Sequence, residues 1–216
     1  MLMKAKVLRE IYHRLYTHFG PQGWWPAETP FEVCIGAILT QNTNWQNVER
    51  AISKLKERDL LNPQKLYEIS ERELAELIRP SGYYNVKAKR LKNFISFLVE
   101  KYGGDLEVMK RTDLHTLREK LLKIKGLGPE TVDSILLYAL EKPVFVIDAY
   151  TYRILFRHSL IPEEVTYEEL QELFHSALEE DVELFKEYHA LLVACGKTYC
   201  KKSNPLCEPC PLAELK

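Results

Sequence analysis

Ile124-Lys125-Gly126-Leu127-Gly128-Pro129-Glu130-Thr131 is the stretch on which the reading of this chain turns. Two glycines around one apolar residue permit a tight turn with positive φ and leave no Cβ near an approaching phosphate. Pro129 stands where a helix would start, a favoured first-turn position. The backbone N–H groups of such a start point outward at the positive end of the helix dipole, ready for an anion. An ordinary helix–helix turn has the same look, so the G-x-G alone does not separate a phosphate clamp from a plain connection. Outward from this turn the periodicity is helical. Val7, Ile11, Leu15 and Phe19 recur at fourfold spacing, and Leu91, Phe94, Ile95 and Leu98 share one face. Thr166 with Glu169 makes a capping-box signature ahead of Leu170, Leu173, Phe174 and Ala177. Strand-like alternation is confined to Pro143-Val144-Phe145-Val146-Ile147, too isolated to build a sheet. The pattern predicts an all-α chain of many short helices with tight connections.

With 216 residues, 46% of them apolar, the chain can bury one large core or two small ones. Its formal charge of -1 gives no global basic field, but local basic patches decide nucleic-acid binding. Met1-Leu2-Met3-Lys4-Ala5-Lys6 runs into a charged helical segment without a long apolar stretch, which argues against a signal peptide or membrane span. A cytoplasmic protein is expected, nucleoid-associated if the source is prokaryotic. The cysteines are Cys34, Cys195, Cys200, Cys207 and Cys210; in a reducing compartment the four clustered at the end suggest a metal or cluster before disulfides.

Four further segments carry candidate chemistry. In Val146-Ile147-Asp148-Ala149-Tyr150 an apolar run delivers Asp148, eighteen positions beyond Glu130, to a helix start. Capping that helix is the common role for such an aspartate. Paired with a phosphate-gripping turn, the same carboxylate would lie near a sugar, where it can stabilise developing positive charge or orient water. Arg79 to Lys92 is basic and aromatic with no acidic residue; Lys87 and its neighbours suit phosphate contacts and Tyr83 suits a wedge between bases, although a solvated helix face fits equally. All three tryptophans fall in Trp24-Trp25-Pro26 and in Leu39-Thr40-Gln41-Asn42-Thr43-Asn44-Trp45. Core packing is the usual reason for such clustering, but a double Trp before proline suits a base-stacking pocket, with Gln41 and Asn42 able to fill the hole left by an extruded base. Cys200, Cys207 and Cys210 have spacing suited to a cluster or metal, with Cys195 as candidate fourth ligand or as a small buried residue, and zinc open on composition. The six histidines are scattered and read as surface or packing residues.

Taken together, T-Q-N-T at Gln41, G-Y-Y-N-V-K-A-K at 82–89, K-G-L-G at 125–128, V-I-D-A-Y at 146–150 and the cysteine tail resemble the endonuclease III superfamily of helix-hairpin-helix DNA glycosylases, over nearly the whole chain. The resemblance implies an all-α, two-domain fold: a six-helix barrel with the hairpin (23–141) and a domain built from both termini (1–22 and 142–216). It implies double-stranded DNA with a damaged base as substrate, a monomer as the acting form, and Asp148 at the catalytic aspartate. Lys125, Gly126 and Gly128 would grip the backbone, with Gln41 as plug and Tyr83 as wedge. In strand-cleaving members a lysine follows the hairpin and forms a Schiff base; here that catalytic position is Glu130, and a carboxylate cannot form an imine. The family's C-x6-C-x2-C-x5-C spacing is met by Cys200, Cys207 and Cys210, but its fourth place is Lys216, so a [4Fe-4S] cluster is expected on an incomplete set. Glu130, W-W-P and T-Q-N-T-x-aromatic look closest to the 3-methyladenine branch. Its base already carries positive charge and leaves easily, given extrusion into a pocket such as Trp24, Trp25 and Trp45 would make. The competing readings are a lyase-active glycosylase for oxidised pyrimidines and a helix-hairpin-helix protein that only binds DNA.

Overall fold

A computed structural model describes residues 2–215, so the Lys216 position of the cysteine spacing lies outside the described residues. Among the described residues every regular element is helical. The chain divides into two compact units: a hairpin unit, Ala27–Lys142, and a two-ended unit that joins the segment up to Pro26 with the segment from Pro143 onward. The two-ended unit begins with α1 (Leu2–Phe19). The hairpin unit holds α2 (Pro30–Leu39), α3 (Trp45–Glu57), α4 (Pro63–Glu68), α5 (Glu71–Leu77), a 3-10 turn at Arg79–Ser81, α6 (Tyr84–Tyr102), α7 (Leu106–Lys110), α8 (Leu114–Leu122) and α9 (Pro129–Ser134). α9 runs on as a π-helical turn over Ile135–Ala139. α10 (Ala149–Arg157), α11 (Tyr167–His175) and α12 (Val182–Thr198) complete the two-ended unit. No helix among the described residues is long and apolar enough to cross a membrane.

Helices this short depend on their ends. Thr29, Asn44, Asn62, Ser70, Asp105 and Asp113 each turn a side-chain oxygen onto first-turn N–H groups, a contribution of ~1 kcal/mol apiece. The predicted capping box at the head of α11 forms in both directions between Thr166 and Glu169. In the hairpin unit α2 is buried along its length from Phe31 to Leu39 and packs against α3, α6 and the π-helical turn. α6 answers with Ala88, Leu91, Phe94, Ile95 and Leu98, the face anticipated from the spacing. α8 is locked to α9 by Arg118, whose Nε and Nη2 meet the two oxygens of buried Asp133 at 2.7 and 3.0 Å. Both carboxylate oxygens are thereby satisfied by one planar fork, which a buried charge requires.

In the two-ended unit α12 packs on α1 and α10. The buried stripe of α1 is Leu8, Ile11 and Leu15, with Val7 and Phe19 only half-buried, so the contact face is rotated slightly from the one the fourfold spacing suggests. Tyr188 in α12 donates its hydroxyl to the Leu8 carbonyl at 2.7 Å. The run Val144–Ile147 is extended and buried yet joins no sheet, because side chains of α11 take its backbone groups. Phe145 N–H donates to His175 Nε2, the Phe145 carbonyl accepts from Gln171 Nε2, and Ile147 N–H donates to the Tyr167 hydroxyl. Phe145 also stacks on Phe174, ring centroids 3.8 Å apart. This apolar run is the rail that carries Asp148 to the head of α10.

Candidate active site

Asp148 is the N-cap of α10, as capping statistics would have it, and the cap uses only one of its oxygens. Oδ1 accepts from Thr151 N–H at 2.7 Å and from the Thr151 hydroxyl at 2.9 Å. Oδ2 stands 3.4 Å from Nε2 of His189, which is 4% exposed in the middle of α12. The Asp148 side chain itself is 9% exposed. Burial raises its pKa, but the His189 hydrogen bond and charge, together with the two Thr151 donors, outweigh it and hold the carboxyl below its ordinary value. The structure therefore keeps an ionised carboxylate at a helix N-terminus with one edge fixed and the other turned to an imidazole.

His189 escaped the sequence reading, which took the histidines for surface or packing residues. A histidine buried inside the apolar run of α12 was the available signal. Two more helical turns on, at the same spacing, comes Lys197. Both meet Trp24: the His189 ring lies edge-on at 6.0 Å between centroids, and Lys197 Nζ stands 5.6 Å above the indole. Trp25 tilts against Trp24 at 5.7 Å. Asp148, His189, Trp24, Trp25 and Lys197 thus form one half-buried cluster within the two-ended unit. Trp45 belongs to the hairpin unit, where it opens α3 and donates its indole N–H to Glu49.

In the hairpin unit the turn between α8 and α9 has Gly126 at φ +98, a left-handed position that favours glycine. Gly128 does not share it; its φ of -90 with ψ 172 is extended backbone, and it caps α9 without a side chain. Gly126 is required for a second reason: a Cβ there would lie 2.4 Å from Arg90 Cγ. Lys125 and Glu130 are exposed, Glu130 in the first turn of α9. Gln41 is held at both ends of its amide. Arg90 donates to its Oε1, while its Nε2 donates to Thr131 Oγ1 at 2.9 Å and to the Gly126 carbonyl at 3.3 Å. Asn42, next along, is exposed in left-handed conformation. Tyr83 is also left-handed, with φ +46, and 73% exposed, a strained and outward-turned aromatic.

The basic stretch needs correcting. Lys87 was expected to contact phosphate; it is 1% exposed and donates Nζ to the carbonyls of Leu39 and Ser81. Lys92 donates to the carbonyls of Leu66, Tyr67 and Ile69, closing the end of α4. Arg90 is taken by Gln41. Three cations of a segment that looked like a phosphate footprint are internal braces: the long stems of Lys87 and Lys92 reach carbonyls left open at helix ends, and Arg90 reaches the Gln41 side chain. The exposed cations of the segment and of the hairpin beside it are Arg79, Lys89, Lys123 and Lys125. Opposite in sign is the two-ended unit's stretch from His158 to Phe185, which holds nine acidic residues and no lysine or arginine.

The cysteine tail does not assemble the expected cluster site. Cys195 and Cys210 Sγ atoms are 4.0 Å apart, Cys200 Sγ accepts from Arg157 at 3.2 Å, and Cys207 is exposed. Among the described residues no three histidine, cysteine, aspartate or glutamate side chains gather as a metal-binding group. A [4Fe-4S] centre takes four thiolates, and with lysine at position 216 the set would have to draw on Cys195, whose Sγ neighbours that of Cys210. The donor set, as placed, does not fit the cluster.

Comparison with known proteins bears on these clusters together. Residues 35–180 match the family described as HhH-GPD superfamily base excision DNA repair protein. A protein of Methanocaldococcus jannaschii, provisionally named a DNA repair glycosylase, is 52% identical over 98% of this chain and 96% of its own length. The crystal structure of H. pylori 3-methyladenine DNA glycosylase bound to 1,N6-ethenoadenine is 32% identical, with a TM-score of 0.75, covering 90% of this chain and 97% of that one. A non-covalent endonuclease III–DNA complex superposes with a TM-score of 0.84 at 22% identity, over 98% of this chain and 94% of that one.

Proposed function

The chain belongs to the HhH-GPD superfamily of base excision DNA repair proteins and is a DNA glycosylase, and from that premise we propose that it is a monofunctional enzyme that extrudes an alkylated, 3-methyladenine-like base and hydrolyses its glycosidic bond with Asp148. The observation that carries this reading is the Asp148 carboxylate, anchored through Oδ1 at the head of α10 and low in pKa. As the C1′–N bond stretches, the base leaves with the bonding electrons and the sugar gains positive charge. An ionised carboxylate beside it stabilises that charge and orients the water that adds to C1′, while the proton released passes to solvent or the departing base. Tyr83 wedges the duplex, Gln41 and Asn42 occupy the vacated space, and the hairpin at Lys125, Gly126 and Gly128 holds the phosphodiester chain of a double-stranded substrate bound by one protein molecule. Glu130 at the Schiff-base position supports hydrolysis without strand cleavage. Trp24 and Trp25 are the aromatic surfaces for the extruded base, and the name of the H. pylori relative supports an alkylated purine. No step passes through the cysteine tail.

One observation favours a second reading, excision of a neutral damaged base. Lys197 Nζ already stands over Trp24, and a cationic purine stacked on the same ring would meet a like charge. The 1,N6-ethenoadenine of the H. pylori complex is a neutral adduct. Free-base release from alkylated DNA and from DNA carrying neutral lesions, resolved by base identity, separates the two. For the shared mechanism, Asp148→Asn is expected to lower base release by about 10²–10³-fold with duplex binding retained. Borohydride is expected to trap no protein on damaged DNA. Covalent trapping, or full base release by Asp148→Asn, refutes the proposal.

A further inference from the structure

Three loops of the hairpin unit carry the residues assigned above to the DNA: the Thr40–Asn44 loop with Gln41 and Asn42, the Arg79–Tyr83 turn with its wedge, and the Lys125–Gly128 hairpin. One face of α6 bonds to all three. Lys87 Nζ donates to the carbonyl of Leu39, where α2 ends, at 2.8 Å, and to that of Ser81, where the 3-10 turn ends, at 2.6 Å. Arg90, one turn further, grips Gln41 and lays its stem in the space left by the missing side chain of Gly126. Asn93, another turn on, donates Nδ2 to the Lys125 carbonyl at 2.9 Å. We propose that Lys87 is a positioning residue for base extrusion, its ammonium fixing the plug loop and the wedge turn at one separation so that they enter the duplex as a single device, with Arg90 registering that device to the hairpin.

Packing alone does not explain a lysine here. Burying an ammonium is unfavourable, and an apolar side chain of similar volume would fill the space without that penalty. What the ammonium adds is a fixed span between two carbonyls on loops that are forty-two residues apart, from position 39 to position 81. Burial, and then the nearby Arg90 charge, bring its pKa down to about 8, so at neutral pH it still carries the proton it donates. The wedge depends on this tie directly, since Tyr83 follows Ser81 by two residues in strained left-handed conformation.

The inference rests on the extrusion role proposed above but not on the lesion, and its test needs no excision. The full-length protein is titrated onto a duplex with 2-aminopurine opposite a stable tetrahydrofuran abasic analogue, and the fluorescence gain at saturation is read with the Kd. Lys87→Met is expected to lose about threefold or more of the gain with Kd changed by less than about threefold, since misplacing a group by an ångström costs function more than binding. Arg90→Leu, at a half-exposed site, is expected to do the same and decides the matter if Lys87→Met does not fold. An unchanged gain in Lys87→Met (or in Arg90→Leu, where Lys87→Met does not fold), a parallel loss of gain and affinity, or no gain with the unmodified protein overturns the inference. The predicted pattern with no release of any base from alkylated DNA would leave it standing and sink the lesion assignment alone.

Discussion

At the scale of single residues the decisive group is a carboxylate whose two oxygens have different employment. Oδ1 serves the helix, and Oδ2 faces His189. The folded pKa of Asp148 lies below the unfolded value of ~3.9, so its ionisation favours the native state above that pH and the contribution is lost as pH falls through the folded value. Base release is accordingly expected to hold its rate down to the ordinary carboxylate range. His189→Leu removes the largest influence that lowers the Asp148 pKa and leaves burial to raise it. A pH–rate profile should then show the acid limb displaced to higher pH, with the rate at pH 7 falling by less than the roughly 10²–10⁴-fold of a general acid or base, because His189 acts through Asp148. A limb that does not move would mean that His189 is only a packing residue.

At the scale of elements, one close approach fixes the frame around Asp148. Gly196 in α12 admits Tyr150 of α10 so closely that a Cβ would sit 2.3 Å from the Tyr150 ring. Gly196→Ala should force the two helices apart, costing about 1–3 kcal/mol of stability by denaturant titration and disturbing the Asp148 cap two residues before Tyr150. A variant of unchanged midpoint would show that α10 yields without cost. The helical frame, the capping box and the buried face of α6 were legible in the sequence because each is a local pattern of three to eight residues. Asp148 as a cap was equally local. What could not be read is which cation goes where. Lys87, Arg90 and Lys92 carry the same charge as Lys89 and Lys125, and only partners brought beside α6 by folding turn the first three inward: the carbonyl ends of α2, α4 and the 3-10 turn for the two lysines, and the Gln41 side-chain oxygen for Arg90. His189 and Lys197 were hidden for the same reason, since their partners Asp148 and Trp24 lie far off in sequence. The cysteine spacing is a pattern three-quarters complete, and among the described residues its thiols do not gather as a metal-binding group.

At the scale of the whole molecule, a net charge of -1 conceals an uneven distribution. The nine-acid stretch from His158 to Phe185 repels a polyanion, while Lys89, Lys123 and Lys125 are exposed in the hairpin unit. Replacing Glu163, Glu164, Glu168 and Glu172, all exposed, by Gln should tighten binding to undamaged duplex at low salt by about tenfold or more and narrow the preference for damaged sites. Equal tightening on both DNAs, or none, would count against repulsion as the cause. A repair enzyme has to abandon vastly more intact nucleotides than it ever treats, and every lingering stop delays the patrol. Carboxylates carried in bulk would shorten each visit, and a four-glutamine variant that lingers on intact duplex would make this stretch the part of the chain that sets the pace at which a genome can be inspected.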